Sequence, residues 1–241
     1  MNSLGRTFYA LANIALGIFS LITRNNNPLN IKHGHLAIVL VIATLEVLAG
    51  IAIFFPSTIR YGALTLAIIY IAVGLVASVP FILKNPHVYA NWGEFFYQLA
   101  LAVGAIILFA VASNKPMLAR IGVIAFALCN ISFALEQIEF LAPTATLVPH
   151  WIPLSGIFWV WATNVFFVLA AIALLTGILA RLAAQLDTAM FILFALLCLL
   201  PVVIASPHNI FRWTELVETF LTAASAWVVA DYFSTRRKSL A

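Results

Sequence analysis

The chain has 241 residues, of which 64% are hydrophobic and only 8% charged, with a mean hydropathy of +1.10. Soluble domains carry about 25% charged residues, so this much apolar surface cannot be hidden from water and belongs in a lipid bilayer. The net charge of +4 is small and scattered between apolar runs, which excludes nucleic acid as a partner and reads as membrane-flanking anchors.

A spanning helix needs about 20 mostly apolar residues. Eight runs approach or meet that length, near 6–23, 36–55, 61–81, 95–112, 120–140, 155–177, 182–204 and 216–233. The first opens with Arg6 and contains Asn13 and Gly17; no small-residue cleavage site follows it, so it is expected to be a retained helix rather than a signal peptide. The second run carries Glu46 near its middle, where an ionisable side chain is expensive and faces protein or water. Two readings stay open for Glu46: a hydrogen-bonding group that glues helices, or a proton or ligand group.

Between the third and fourth runs lies Pro80 to Glu94, and between the seventh and eighth lies Pro201 to Glu215. Pro80/Pro201, Pro86/Pro207, His87/His208, Trp92/Trp213 and Glu94/Glu215 recur at one separation of 121 residues without a gap. The same offset matches Val47-Leu48-Ala49 with Val168-Leu169-Ala170 and Arg60 with Arg181. This is the signature of an internal duplication. The expected fold class is therefore an all-α polytopic membrane protein of about eight transmembrane helices, arranged as two parallel four-helix repeats (1–114 and 115–241) in a single membrane domain. Parallel repeats follow because four is even, so both halves enter the bilayer from the same side.

Loop charge sets the orientation. Arg6, Arg60, Lys115, Arg120, Arg181, Arg236, Arg237 and Lys238 fall on the face that holds both termini, against Arg24, Lys32, Lys84 and Arg212 opposite. Both termini are accordingly expected in the cytoplasm, in a bacterial inner membrane. All five histidines (His33, His35, His87, His150 and His208) then lie on the outer side, with Glu94, Glu136, Glu139, Glu215 and Glu218 at or near the outer helix ends.

Imidazoles and carboxylates together can bind a metal or relay protons. No H-x-x-x-H or E-x-x-H spacing occurs, however, so no metal site is expected. Glu94 has two readings: Asn91 as helix N-cap with an acid three residues on, or a member of a polar site. In the second copy Arg212 replaces the cap residue while Glu215 remains. Trp92 and Trp213 fit an interfacial aromatic belt. Asn13, Asn130, Thr163, Asn164 and Gln98 are expected to hydrogen-bond between helices. The ligand or proton-relay candidates are thus Glu46, His87, Trp92, Glu94, His208, Trp213, Glu215 and Glu218, and no catalytic residue is assigned. Cys129 and Cys198 sit singly in apolar runs and read as small hydrophobes.

Leu147-Val-Pro-His-Trp-Ile-Pro153, Phe158-Trp159-Val-Trp161-Ala-Thr163-Asn164, Leu175-Thr-Gly-Ile-Leu-Ala-Arg181 and Leu200-Pro201 together resemble the DoxX-like integral membrane proteins, over roughly 120–233. The first half departs from that pattern: Asn25-Asn26-Asn27-Pro28 and Lys32-His33-Gly34-His35 stand in place of the V-P-x-W-x-P segment. The resemblance implies four-helix units, here fused in tandem. It also implies an accessory role in membrane redox processes, with quinone as the cofactor and membrane or redox proteins as partners beside the lipid bilayer. It assigns no catalytic motif. Two other functions stay beside it, a small-solute transporter or binding protein and a membrane scaffold for partner proteins.

Overall fold

The computed structural model describes residues 4–24 and 36–239; His33 and His35 lie outside them. The described residues form α1 (Leu4–Thr23), α2 (Leu36–Ile53), α3 (Ile59–Lys84), α4 (Tyr89–Ala112), α5 (Pro116–Glu139), α6 (Leu141–Thr146), α7 (Gly156–Thr176), α8 (Ala180–Phe194), α9 (Leu200–Ala205) and α10 (Ile210–Ser239). A π-helical stretch, Ala195–Leu199, joins α8 to α9 into one span, Ala180–Ala205. It lies just ahead of Pro201, which has no N–H to continue the regular ladder. Eight helices are long and apolar enough to cross a bilayer, and no strand occurs among the described residues. The chain is an all-α polytopic integral membrane protein.

Two spans begin earlier than their hydropathy suggests. α4 starts at Tyr89 rather than near 95, and α10 at Ile210 rather than near 216. The polar residues Asn91 and Glu94, and Arg212, Thr214 and Glu215, lower the local hydropathy and make these first turns resemble loop. They are helical because part of their polar surface turns toward protein. α10 carries this furthest: Thr214, Glu218, Thr219, Thr222 and Ser225 recur at helical spacing and are all buried. Its polar stripe faces inward while the apolar groups of the other spans face outward.

Neighbouring spans pack in sequence, α1 on α2, α2 on α3, α3 on α4, α4 on α5, α5 on α7, α7 on α8 and α8 on α10. α10 returns to pack on α1, closing the ring, and α4 and α10 also touch each other across its interior. Large side chains such as Leu48, Ile68, Val76, Leu169, Ile172 and Ile204 are exposed and form the lipid-facing surface. The α4–α10 crossing depends on small residues. A Cβ on Gly104 would stand 2.5 Å from the Tyr9 ring and 2.8 Å from Ser225 Oγ, so only glycine lets these backbones approach so closely. α7 ends at Gly177, whose φ of 79° lies in the left-handed region that favours glycine.

Candidate functional site: a buried acidic stripe

The loops at the end opposite the termini share one construction. Trp92 Nε1 donates to the Pro86 carbonyl at 3.0 Å, and Trp213 Nε1 donates to the Pro207 carbonyl at 2.9 Å. The flanking turns repeat as well: Asn85 N to Phe81 O and Val88 N to Asn85 O in one, Ser206 N to Val202 O and Asn209 N to Ser206 O in the other. A third Pro-x5-Trp segment makes the same bond, Trp159 Nε1 to Pro153 O at 2.8 Å. In each case the indole satisfies a carbonyl that the turn leaves free. The two tryptophans singled out from the sequence are therefore loop braces.

The N-cap reading of Asn91 is corrected. α4 begins two residues earlier, at Tyr89, and no side chain caps it. Asn91 Nδ2 instead donates to the Phe81 and Asn85 carbonyls, closing the end of α3. His87, His150 and His208 are exposed in the loops at this end, away from the buried carboxyls. Arg212 and Glu215 form an ion pair at 2.7 Å, about one third exposed on both sides. No three His, Cys, Asp or Glu side chains converge as a metal site among the described residues.

The carboxyls do converge, and their burial increases with depth. Glu94 is exposed at the rim, Glu136 and Glu215 are half-buried, and Glu218 and Glu46 are buried at 6% and 2% exposure. Glu136 lies within electrostatic reach of Glu94 and Glu215, and Glu218 within reach of Glu94, Glu215 and Glu46. Four helices contribute: α2 (Glu46), α4 (Glu94), α5 (Glu136) and α10 (Glu215, Glu218). The stripe follows the α4–α10 contact inward from the loop end. Tyr70 is within reach of both Glu46 and Glu218.

Beside this stripe runs a fully satisfied network. Tyr70 Oη donates to Asn13 Oδ1 at 2.6 Å, Asn13 Nδ2 to Tyr9 O at 2.7 Å, and Tyr9 Oη to Leu101 O at 2.8 Å. These bonds tie α1, α3 and α4 together and fix the wall of the site. In contrast, Glu46 Oε2 and Ser78 Oγ are buried without a hydrogen-bond partner, and the buried Gln98 amide, within reach of Glu94, completes no bond of full geometry. Buried polar atoms in native proteins are nearly always paired, so these atoms are exceptions to the rule.

Other expected interhelical bonds form elsewhere. Gln137 Nε2 donates to Thr163 Oγ1 at 3.0 Å, and Asn164 Nδ2 donates to Ala134 O at 2.6 Å, both joining α5 to α7. Gln98 makes no such bond, and Asn130 Nδ2 turns back to Phe126 O on its own helix.

The positions 121 residues on are apolar. Phe167 stands at the counterpart of Glu46 and Phe191 at that of Tyr70; with Phe133 they form a cluster of three rings, with centroids 5.6 to 5.7 Å apart. One half therefore holds carboxyl and phenol where the other is filled by aromatic carbon.

Sequence reasoning missed Asp187 on α8, which is fully buried. Its signal was the one that found Glu46, a lone acid inside an apolar run. Tyr9 and Tyr70 gave no comparable signal, since a tyrosine in a span is ordinary. No family model, curated protein or solved structure matches this chain.

Proposed function

We propose that this protein is a membrane-embedded binding protein or transporter for a small solute that carries hydrogen-bond donors or positive charge. The solute enters at the loop end and is held between Glu218, Gln98 and Glu46. The observation that carries this reading is the ordered descent of carboxyls to a buried, unpartnered acceptor at Glu46, with the buried Gln98 amide beside the path. A carboxyl kept only to join helices would be bonded to a neighbouring helix, as the Asn13 amide oxygen is to Tyr70 and the Asn164 amide nitrogen is to Ala134 O. Unpaired buried acceptors instead favour a ligand that brings its own donors, because pairing them recovers the desolvation cost of burial.

The two halves act in this reading as parallel repeats that have diverged. Its support is the 121-residue offset, the matched Pro–Trp loop braces and the helix neighbours. α1–α2, α3–α4 and α4–α5 in the first half have the counterparts α5–α7, α8–α10 and α10–α1 in the second. The site takes Glu46 and Gln98 from the first half and Glu218 from the second, while the positions in the second half equivalent to Glu46 and Tyr70 are filled by aromatic rings. The excess of loop Lys and Arg at the terminus-bearing end supports cytoplasmic termini, and the membrane is taken as a bacterial inner membrane.

The test is native mass spectrometry of the protein extracted in mild detergent, comparing wild type with Glu46→Gln and Glu218→Gln. A small polar or cationic species bound to wild type and lost from both variants is expected. Bound quinone that survives in both would favour the redox-accessory role implied by the DoxX-like resemblance, and would displace this reading.

A further inference from the structure

We propose a second, separate site: Asp187 on α8 and Asn130 on α5 together bind one monovalent metal cation, taken here as sodium. Both side chains are fully buried. Asp187 lies beside Asn130, within reach of its side-chain amide; neither carboxyl oxygen of Asp187 nor Asn130 Oδ1 reaches full hydrogen-bond geometry with any partner. The Asn130 amide donates instead to Phe126 O at 3.1 Å. Three buried oxygen acceptors thus lie together, and the donor identified beside them is the Asn130 amide, which is already bonded to Phe126 O.

Helix geometry brings these groups together independently of that contact. Phe133, three residues beyond Asn130, and Phe191, four residues beyond Asp187, are in edge contact at 5.6 Å. Residues three and four apart share a helix face, and α5 and α8 run in the same direction through the bilayer, so the polar pair sits one turn below the aromatic pair. The Phe133, Phe167 and Phe191 rings thus lie between this site and the loop end.

The chemistry selects the ligand class. An all-oxygen, acceptor-only set suits a hard cation rather than a soft one. One carboxylate balances one positive charge; a divalent ion would leave a buried charge unpaired, which is strongly unfavourable. Packing does not require an acid here, because 121 residues earlier Leu66 fills the corresponding position and is fully buried.

The test is thermal unfolding of the purified full chain in detergent, at one fixed pH and ionic strength, with sodium chloride exchanged for the chloride of a large organic cation. The expected result is a saturable rise of several degrees with sodium, absent in Asp187→Leu, which reproduces the chemistry of Leu66. Asp187→Asn, which keeps the side-chain shape, should also lose the response and covers the case in which the leucine variant does not fold. Equilibrium binding of radioactive sodium to wild type should approach one ion per chain. A response to potassium in place of sodium supports the site and changes only the ion. Identical melting in both salts, with no stoichiometric sodium bound, overturns the proposal: the carboxyl would then be satisfied by its own hydroxyl donating to Asn130. A sodium response that persists in both variants overturns it as well.

Discussion

Replacing Glu46 by leucine separates its two readings by the sign of a stability change. Glu46 is 2% exposed and its Oε2 has no hydrogen-bond partner. A buried polar atom left unpaired carries a penalty of about 1–3 kcal/mol, and substituting an apolar group of similar volume relieves it. Glu46→Leu is therefore expected to be as stable as wild type or more stable, by up to about 3 kcal/mol. For a chain of this length each kcal/mol corresponds to roughly 2–4 °C in melting temperature. Had the carboxyl been a strut between helices, its loss would destabilise by about 0.6–2 kcal/mol, the range found for interhelical hydrogen bonds in membranes. Glu46→Gln, with a donor and an acceptor, should change stability little while losing bound solute. The assay is reversible unfolding in mixed micelles with rising denaturing detergent, paired with ligand retention by native mass spectrometry. A leucine variant destabilised by more than about 1 kcal/mol, with solute still bound to the glutamine variant, would refute the reasoning and make Glu46 structural.

Gly104→Ala should destabilise by about 1–3 kcal/mol, because the new Cβ meets the Tyr9 ring at 2.5 Å while the Tyr9 hydroxyl is held on Leu101 O; an unchanged melting temperature would show that the α4–α10 crossing gives way easily. Trp92→Phe and Trp213→Phe each delete one indole-to-proline bond and should each lose about 0.5–1.5 kcal/mol. Losses that differ by more than about 1 kcal/mol would break the equivalence of the two loops. Reporter fusions after Lys115 and after Ser206 should report opposite sides of the membrane, and the same side from both would contradict the eight-span topology.

Hydropathy alone made all eight spans legible, because a bilayer admits only segments that satisfy their own backbone and present apolar side chains outward. The Pro–Trp loops were legible too, as a repeat at constant offset. What a linear reading misjudged were the residues whose polarity points inward. The first turns of α4 and α10 looked like loop because Glu94 and Glu215 dilute the hydropathy of helices they belong to. Asn91 looked like a cap for the helix that follows, whereas it closes the one that precedes it.

The candidate site itself is a product of the tertiary structure. Glu46, Glu94, Glu136, Glu215 and Glu218 lie on four helices and up to 172 positions apart, and nothing in their local sequence indicates that they share one descending stripe. Burial gave them different roles, from the exposed Glu94 to the unpartnered Glu46. Asp187 makes the same point, since an acid in an apolar run is visible in sequence but its nearness to Asn130 depends on side chains of α5 and α8 reaching each other in the bundle. The sequence determined which segments enter the membrane, because transfer into lipid is a property of each segment taken alone. Only the packing of those segments decided which polar groups meet and which stay unpaired, because hydrogen bonding and burial are relations between groups that the chain itself keeps far apart.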